Sequence, residues 1–167
     1  GLVSLEEAER LMGFCSNSGP AFLVGSIGAG VFGSARLGVG LYIIHVLAAA
    51  ITGLFFRVDG KCRGNAPAAP RESGGALIES VRQAAQSILS VCGFIVCFCV
   101  IIGLLDAHGM FSLLAGQLAQ ITGLELHAAR AALSGFLELG SGIGAMRGLA
   151  VSPANLAIAA GIVGWGG

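Results

Sequence analysis

Residues 37–56 read LGVGLYIIHVLAAAITGLFF, a stretch whose only ionisable side chain is that of His45. At a rise of about 1.5 Å per residue, a helix of this length covers the roughly 30 Å hydrocarbon core of a bilayer. Residues 87–105, SILSVCGFIVCFCVIIGLL, form a second such stretch without any charge. Apolar residues recur every three or four positions over residues 76–89, which predicts one helix from Ala76 through the second stretch. We therefore predict an all-α, multi-pass integral membrane protein.

The composition of the whole chain agrees with this class. Of its 167 residues only 11% are charged, against about 25% in soluble domains. The mean hydropathy is +0.87, and 28 residues are glycine. A soluble domain, a disordered tail and a nucleic-acid-binding protein are poorly supported, because each needs more charge and the last needs a basic excess. We expect the lipid bilayer, and no nucleic acid, as a partner.

The sequence carries no motif that predicts an enzyme or a cofactor site. It has no P-loop, no HExxH and no GxSxG pattern. The five cysteines are odd in number and lack CxxC spacing, which predicts neither a disulfide framework nor a zinc site. The chain lacks an initiator Met and stops inside an apolar segment, so we expect a fragment of a longer protein that forms one membrane domain over residues 1–167.

Residues 57–75 differ in character from the apolar stretches on either side. This segment contains four basic and two acidic residues, two prolines and a glycine pair. It is therefore predicted to be a polar loop. The short connection after residue 105 has no Lys or Arg, so the positive-inside rule predicts that residues 57–75 lie in the cytoplasm.

Polar, glycine-rich sequence interrupts two other apolar regions, at residues 16–20 (the first break) and residues 138–142 (the second break). At membrane depth, non-helical backbone persists only where it is buried in protein or lines a watery cavity. Transporters bind solutes and ions at such broken helices, near the middle of the bilayer. We therefore predict a site for a small polar solute or a cation at the two breaks. The candidate binding residues are Ser16, Asn17, Ser18, Gly19, Pro20, Glu138 and Ser141.

Each of these assignments has a structural alternative. Small polar residues also allow helices to approach closely and to form hydrogen bonds across a packed interface. The carboxylate of Glu138 could belong to a structural ion pair, with Arg147 as the candidate partner. The side chain of His45 could titrate or bind a ligand, but it could equally form a hydrogen bond to a neighbouring helix. We do not include His45 in the predicted site.

Three local patterns lead to further expectations. Ser4 to Glu7 and Thr122 to Glu125 have capping-box spacing, and each is followed by Gly-Phe and a break, which predicts an internal repeat. Residues 28–33 match GxGxxG, but no βαβ pattern surrounds them, so we expect no dinucleotide site. The glycines at 140, 142, 144 and 148 predict a small-residue surface for close helix packing.

Several stretches resemble the sporulation integral membrane protein YlbJ family. These are EEAER at residues 6–10, GFCSNSGP at 13–20, VFG at 31–33, GFLE at 135–138 and GIVGWGG at 161–167. That family belongs with the nucleoside-recognition, or gate, membrane domains. The resemblance implies a transporter-like helical fold and a role in spore cortex formation in endospore-forming bacteria, in the cytoplasmic membrane on the mother-cell side.

The resemblance identifies no ligand, although the gate domains point to nucleoside-like solutes. One alternative is a non-transporting assembly protein that packs against spore-envelope membrane proteins or against further copies of itself. A second alternative is a nucleoside or ion transporter without a role in sporulation.

Overall fold

The computed structural model describes residues 17–55 and 76–166, and every regular element among them is a helix. The predicted all-α fold class is confirmed for this part of the chain. The first capping box, Ser16 and the predicted loop 57–75 lie outside the described residues. In chain order the elements are a π-helix (Ala21–Val31), α1 (Ala35–Phe55), α2 (Ala76–Ala107), α3 (Met110–Thr122), α4 (Leu126–Leu137), α5 (Leu139–Ala145) and α6 (Pro153–Gly166).

Two helices, Ala35–Phe55 and Leu77–Ala107, are long and apolar enough to cross a membrane. They contain the second apolar stretch of the sequence and, of the first, residues 37–55, since Phe56 lies outside the described residues. The predicted continuation of one helix from Ala76 is confirmed, because α2 runs without interruption to Ala107. In the apolar window of α1 17% of the residues are buried, among them the core residue Leu41, and in that of α2 none are, so most of both helices lies outside the core of the described fold.

The π-helix and α1 form a tight hairpin that depends on glycine. Gly33 turns the chain between them, with a φ of +67°. A Cβ atom on Gly28 would lie 2.6 Å from the Cα of Gly38, and one on Gly38 would lie 2.6 Å from the carbonyl oxygen of Leu23. A side chain at either position would force the two backbones apart. The GxGxxG stretch therefore provides a turn and a helix crossing.

The core lies where the π-helix, α4, α5 and α6 meet. Its members are apolar and almost fully shielded from solvent. They include Leu23 and Ile27 of the π-helix, Ala131 of α4, Ile143 of α5, and Ala159, Ile162 and Val163 of α6, together with Met146 just after α5. The π-helix, which follows the first break, and α5, which contains residues 139–142 of the second break, therefore pack into one core.

The predicted second capping box is wrong, because the N-cap of α4 is Glu125 and Thr122 is still part of α3. Gly123 ends α3 in the left-handed conformation, with a φ of +71°. The hydroxyl of Thr122 instead donates to the carbonyl oxygen of Leu118 at 2.6 Å. Since the other capping box lies outside the described residues, the internal repeat has no structural support.

Arg130 joins the C-terminal end of α2 to α3 and α4. Its Nη2 lies 2.7 Å from Oδ1 of Asp106, which belongs to α2. Its Nη1 donates to the hydroxyl of Ser112 on α3 at 2.7 Å. Its guanidinium carbon also lies 5.4 Å from the centre of the Phe111 ring. The long exposed helix α2 is thus anchored at one end by a charged side chain of α4.

Candidate functional site

Glu138 interrupts the helical backbone between α4 and α5. Its φ of −151° and ψ of 122° are those of extended chain. The peptide groups of Glu138 nevertheless keep helical hydrogen bonds. Its N–H donates to the carbonyl oxygen of Ser134 at 2.7 Å, and its carbonyl oxygen accepts from the N–H of Gly142 at 3.0 Å. The predicted interruption is confirmed at Glu138, but it is shorter than the predicted break over residues 138–142, because residues 139–142 are helical and belong to α5.

Side chains satisfy the backbone groups that this interruption frees. In an unbroken helix the N–H of Gly140 would donate to the carbonyl of Phe136. Here the Glu138 carboxylate accepts from Gly140 N at 2.6 Å and from Ser141 N at 2.5 Å. The carbonyl oxygen of Phe136 accepts from Nε1 of Trp165 at 3.1 Å, and the two aromatic rings stack with centroids 4.8 Å apart. The second break is therefore an ordered structure closed by two side chains.

Glycines permit α4 and α5 to cross closely beside the break. A Cβ on Gly142 would overlap the backbone of Gly135, and a Cβ on Gly135 would lie 2.5 Å from the side chain of Ile162. A Cβ on Gly144 would meet nothing within 4 Å, and Gly148 occupies a turn with a φ of +86°. Of the predicted small-residue surface, Gly142 is thus the glycine that makes the close helix contact.

Arg147 is not the partner of the Glu138 carboxylate. Among the described residues, the ion pairs are Glu79 with Arg82 and Asp106 with Arg130. Because Glu138 is the N-cap of α5, its negative charge faces two backbone N–H donors at the positive end of that helix. An N-terminal cap therefore replaces the ion pair that the sequence suggested.

A cavity of about 350 Å³ lies between α2 and the second break. Glu138 lines it, together with aromatic side chains that include Phe94 and Phe98 of α2 and Trp165 of α6. At the same contact between α2 and α5, the thiol of Cys99 lies 3.4 Å from the hydroxyl of Ser141. This cavity combines one carboxylate with flat apolar surfaces, an arrangement that can hold an aromatic molecule bearing hydrogen-bond donors.

The first break packs against α1. Asn17, Ser18 and Gly19 are not helical, and the chain enters its helix at Pro20. The backbone N–H of Ser18 donates to Nε2 of His45, a buried side chain of α1, at 3.3 Å. His45 therefore forms a hydrogen bond, as one of the two alternatives expected, but its partner is the non-helical Ser18 and not a neighbouring helix.

The helix that follows the first break is a π-helix of 11 residues. Its hydrogen bonding extends to Phe32, whose N–H donates to the carbonyl oxygen of Ile27 at 3.1 Å. Helices of this kind are rare and usually short, and they often occur at functional sites. No signal in the sequence distinguished this segment from an α-helix.

The two breaks lie against different helices, although the segments that follow them share a core. The described hydrogen bond of Ser18 leads to α1, whereas the side chains of Glu138 and Ser141 interact with α5 and α2. Glu138 and Ser141 thus lie together, whereas no described residue of the first break lines the cavity beside Glu138. Sequence reasoning missed Trp165 and the aromatic residues of α2, and the single Trp of the chain was the available signal, since a Trp N–H usually finds an acceptor.

Asn155 is a buried polar residue that was also missed. Its Nδ2 donates to the carbonyl oxygen of Ala150 at 2.8 Å, and its backbone N–H donates to the hydroxyl of Ser152 at 3.1 Å. These bonds hold the start of α6 and leave no sign of a ligand role. No group of three His, Cys, Asp or Glu side chains suited to a metal ion occurs within residues 17–55 and 76–166.

In comparisons with known proteins, no protein-family model, no curated protein and no solved structure matches this chain. The resemblance to the YlbJ family therefore stays a prediction that rests on the sequence stretches quoted above.

Proposed function

We propose that this chain is an integral membrane protein of transporter-like helical architecture, in which the cavity beside Glu138 binds a small polar solute. The observation that carries the proposal is the second break itself. An interrupted helix offers a carboxylate to a cavity of about 350 Å³ whose other walls are largely aromatic and aliphatic. Ligand sites in proteins commonly combine an apolar lining with a few fixed polar groups, in volumes upward of about 300 Å³.

Membrane insertion is supported by α1 and α2. Both are long and apolar enough to cross a bilayer, and the apolar window of α2 has no buried residue. Contact of these apolar side chains with water is unfavourable, whereas contact with lipid chains is not. The second break is compatible with membrane depth, because Glu138 and Trp165 pair the freed groups of Gly140, Ser141 and Phe136.

The chemistry of the cavity favours a nucleoside-like solute. A nucleobase can stack on an aromatic ring, and Phe94, Phe98 and Trp165 line this cavity. A carboxylate has about four acceptor positions, and the two N–H bonds from α5 use two of them. The remaining positions can accept from a sugar hydroxyl or contact a coupling cation.

We propose the first break as a second contact for the solute along its path, separate from the cavity beside Glu138. In the sequence Ser16, Asn17 and Ser18 carry hydrogen-bonding groups, and Pro20 is the first helical residue after the non-helical Gly19. Support comes from the unusual π-helix behind this segment and from its core contact with α5, the helix that Glu138 caps. We propose that movement of these two interrupted segments accompanies passage of the solute.

The biological setting is proposed from the resemblance alone. The SNSGP stretch at residues 16–20 and GFLE at 135–138 belong to the two breaks and are among the stretches that resemble the YlbJ family. On this basis the protein acts during bacterial sporulation, in formation of the spore cortex. Its expected location is the cytoplasmic membrane on the mother-cell side.

Ligand-dependent thermal unfolding of the detergent-purified protein tests the solute site. Nucleosides, nucleobases and metal cations are tested one at a time. A ligand present at about one hundred times its Kd should stabilise the native state by about 2.7 kcal/mol. We expect one class of compound to produce such a shift, and we expect Asn17→Ala and Glu138→Gln each to reduce it.

Two further variants separate binding from capping. Glu138→Asp keeps a good N-cap residue but withdraws the carboxylate from the cavity, so it should preserve stability and weaken the ligand shift. Glu125→Gln removes a carboxylate from the N-cap of α4, where the side chain makes no capping hydrogen bond. This control should leave the ligand shift unchanged. A full shift in Glu138→Asp and Glu138→Gln would refute the role of Glu138 in binding.

One observation favours a non-transporting assembly protein as the second candidate. Both carboxylate oxygens of Glu138 already accept backbone hydrogen bonds, so the side chain has a complete structural role without any solute. The exposed apolar surface of α2 would then pack against helices of partner proteins or of further copies. This function predicts a stoichiometric partner in crosslinking experiments in sporulating cells, and no thermal shift with any compound.

A further inference from the structure

A second cavity lies between the N-terminal halves of α1 and α6 and contains no residue of either break. Its volume is about 470 Å³. Gly40, Leu41 and Ile44 line it on the side of α1, and Leu156 and Ala160 line it on the side of α6. The one polar side chain in its lining is that of Arg36. We call this cavity the Arg36 groove.

The position of Arg36 defines the depth of the groove in a bilayer. Arg36 is the second residue of α1, which has 21 residues and is therefore about 31 Å long. When α1 spans a hydrocarbon core of about 30 Å, its first turn lies at the level of the lipid headgroups. The apolar lining of the groove then extends from the headgroups toward the middle of the membrane.

The charge of Arg36 is not compensated within the described part of the chain. Arg36 is exposed and forms no ion pair with a described residue. Three of the described acidic residues are engaged elsewhere, because Glu79 pairs with Arg82, Asp106 with Arg130, and Glu138 with the amides of α5. At the mouth of the otherwise uncharged groove lies the guanidinium of Arg36, which has no ion pair with any described residue.

We propose that the Arg36 groove binds an anionic phospholipid, with an acyl chain between α1 and α6 and the phosphate on the guanidinium of Arg36. Guanidinium groups form paired hydrogen bonds with phosphate oxygens. Basic pockets between membrane helices are known to hold lipid headgroups. The inference rests on the membrane insertion proposed above but not on the solute site, since the two cavities share no lining residue.

The test compares lipid retention with phosphatidylglycerol as the anionic lipid and phosphatidylcholine as the neutral one. The protein is reconstituted into nanodiscs with equal amounts of both, and native mass spectrometry counts the lipids that remain bound after release. We expect wild-type protein to retain phosphatidylglycerol about fivefold over phosphatidylcholine, the factor that corresponds to roughly 1 kcal/mol for one Arg near the membrane surface. Arg36→Gln should remove this preference.

A second variant tests the groove apart from its charge. A Cβ on Gly40 would meet nothing within 4 Å, and Gly40→Leu places a larger side chain in the groove that this residue lines. It should lower retention of both lipids while Arg36 stays in place. Arg147→Gln removes another exposed arginine that is not part of the groove, and it should behave as wild type.

Several results would overturn the inference. If Arg36→Gln keeps the preference for phosphatidylglycerol, Arg36 does not hold the phosphate. If Gly40→Leu retains as much lipid as wild type, no acyl chain occupies the groove, and Arg36 acts as any arginine at a bilayer surface. Vesicle flotation of each variant distinguishes this failure from the failure of the proposed function. Wild-type protein that floats with vesicles but shows no preference refutes only the lipid site, whereas protein that does not float refutes both.

Discussion

The crossing of α4 and α5 makes a quantitative prediction for Gly142→Ala. The added methyl group would overlap the Cα and N atoms of Gly135, and no rotamer change can move backbone atoms away. Overpacking of this kind costs about 3 kcal/mol. Alanine in place of glycine favours the helix by about 1 kcal/mol. We therefore expect a net loss of about 2 kcal/mol in the free energy of unfolding.

Gly144→Ala is the matched control, because it changes the same residue type in the same helix. A Cβ at this position would meet nothing within 4 Å, so only the helix gain of up to about 1 kcal/mol applies. Reversible unfolding by SDS titration in mixed micelles measures both variants against wild type. We expect the free energy of unfolding to fall by about 2 kcal/mol in Gly142→Ala and to rise by up to about 1 kcal/mol in Gly144→Ala, so the two variants should differ by about 3 kcal/mol. Equal stability of the two variants would show that α4 and α5 do not cross as described.

Three further predictions concern side chains that hold the helices together. Glu138→Ala should destabilise the fold by about 2 kcal/mol and Glu138→Asp by much less, measured by the same SDS titration, because Asp can still cap α5. Trp165→Phe keeps the ring stack but removes the N–H bond to Phe136, so the midpoint of unfolding should report a loss of about 1 kcal/mol. Asp106→Asn should cost no more than about 1 kcal/mol, since its ion pair with Arg130 is partly exposed. A larger loss in that titration would mean that the pair anchors α2 more strongly than its exposure implies.

Much of the helical architecture was predictable because it depends on neighbouring residues. An unbroken apolar stretch identified α1. The recurrence of apolar residues every three or four positions extended α2 back to Ala76. Glu138 and its flanking glycines marked the interruption between α4 and α5. The wrong assignment of Thr122 has a local cause as well, because Gly123 ends α3 in a conformation that overrides the capping-box spacing.

The candidate site was predictable only in part. The sequence indicated that Glu138 belongs to a break, but it suggested a charged partner where the structure has two backbone amides. It offered no means of recognising that Trp165 would pair the carbonyl of Phe136, or that α2 would supply aromatic walls to a cavity. Each of these contacts joins residues that lie far apart in the chain.

The sequence by itself determined the helical class, two membrane-length apolar helices and the location of the breaks, because hydrophobicity and backbone preference act within one or two helical turns. The tertiary structure alone decided which groups meet. Ser18 reaches His45 across 27 positions, Phe136 reaches Trp165 across 29, and Cys99 reaches Ser141 across 42. Such pairs depend on how closely whole helices approach, and this distance is governed by glycines such as Gly38 and Gly142, whose effect appears only once a second backbone lies against them.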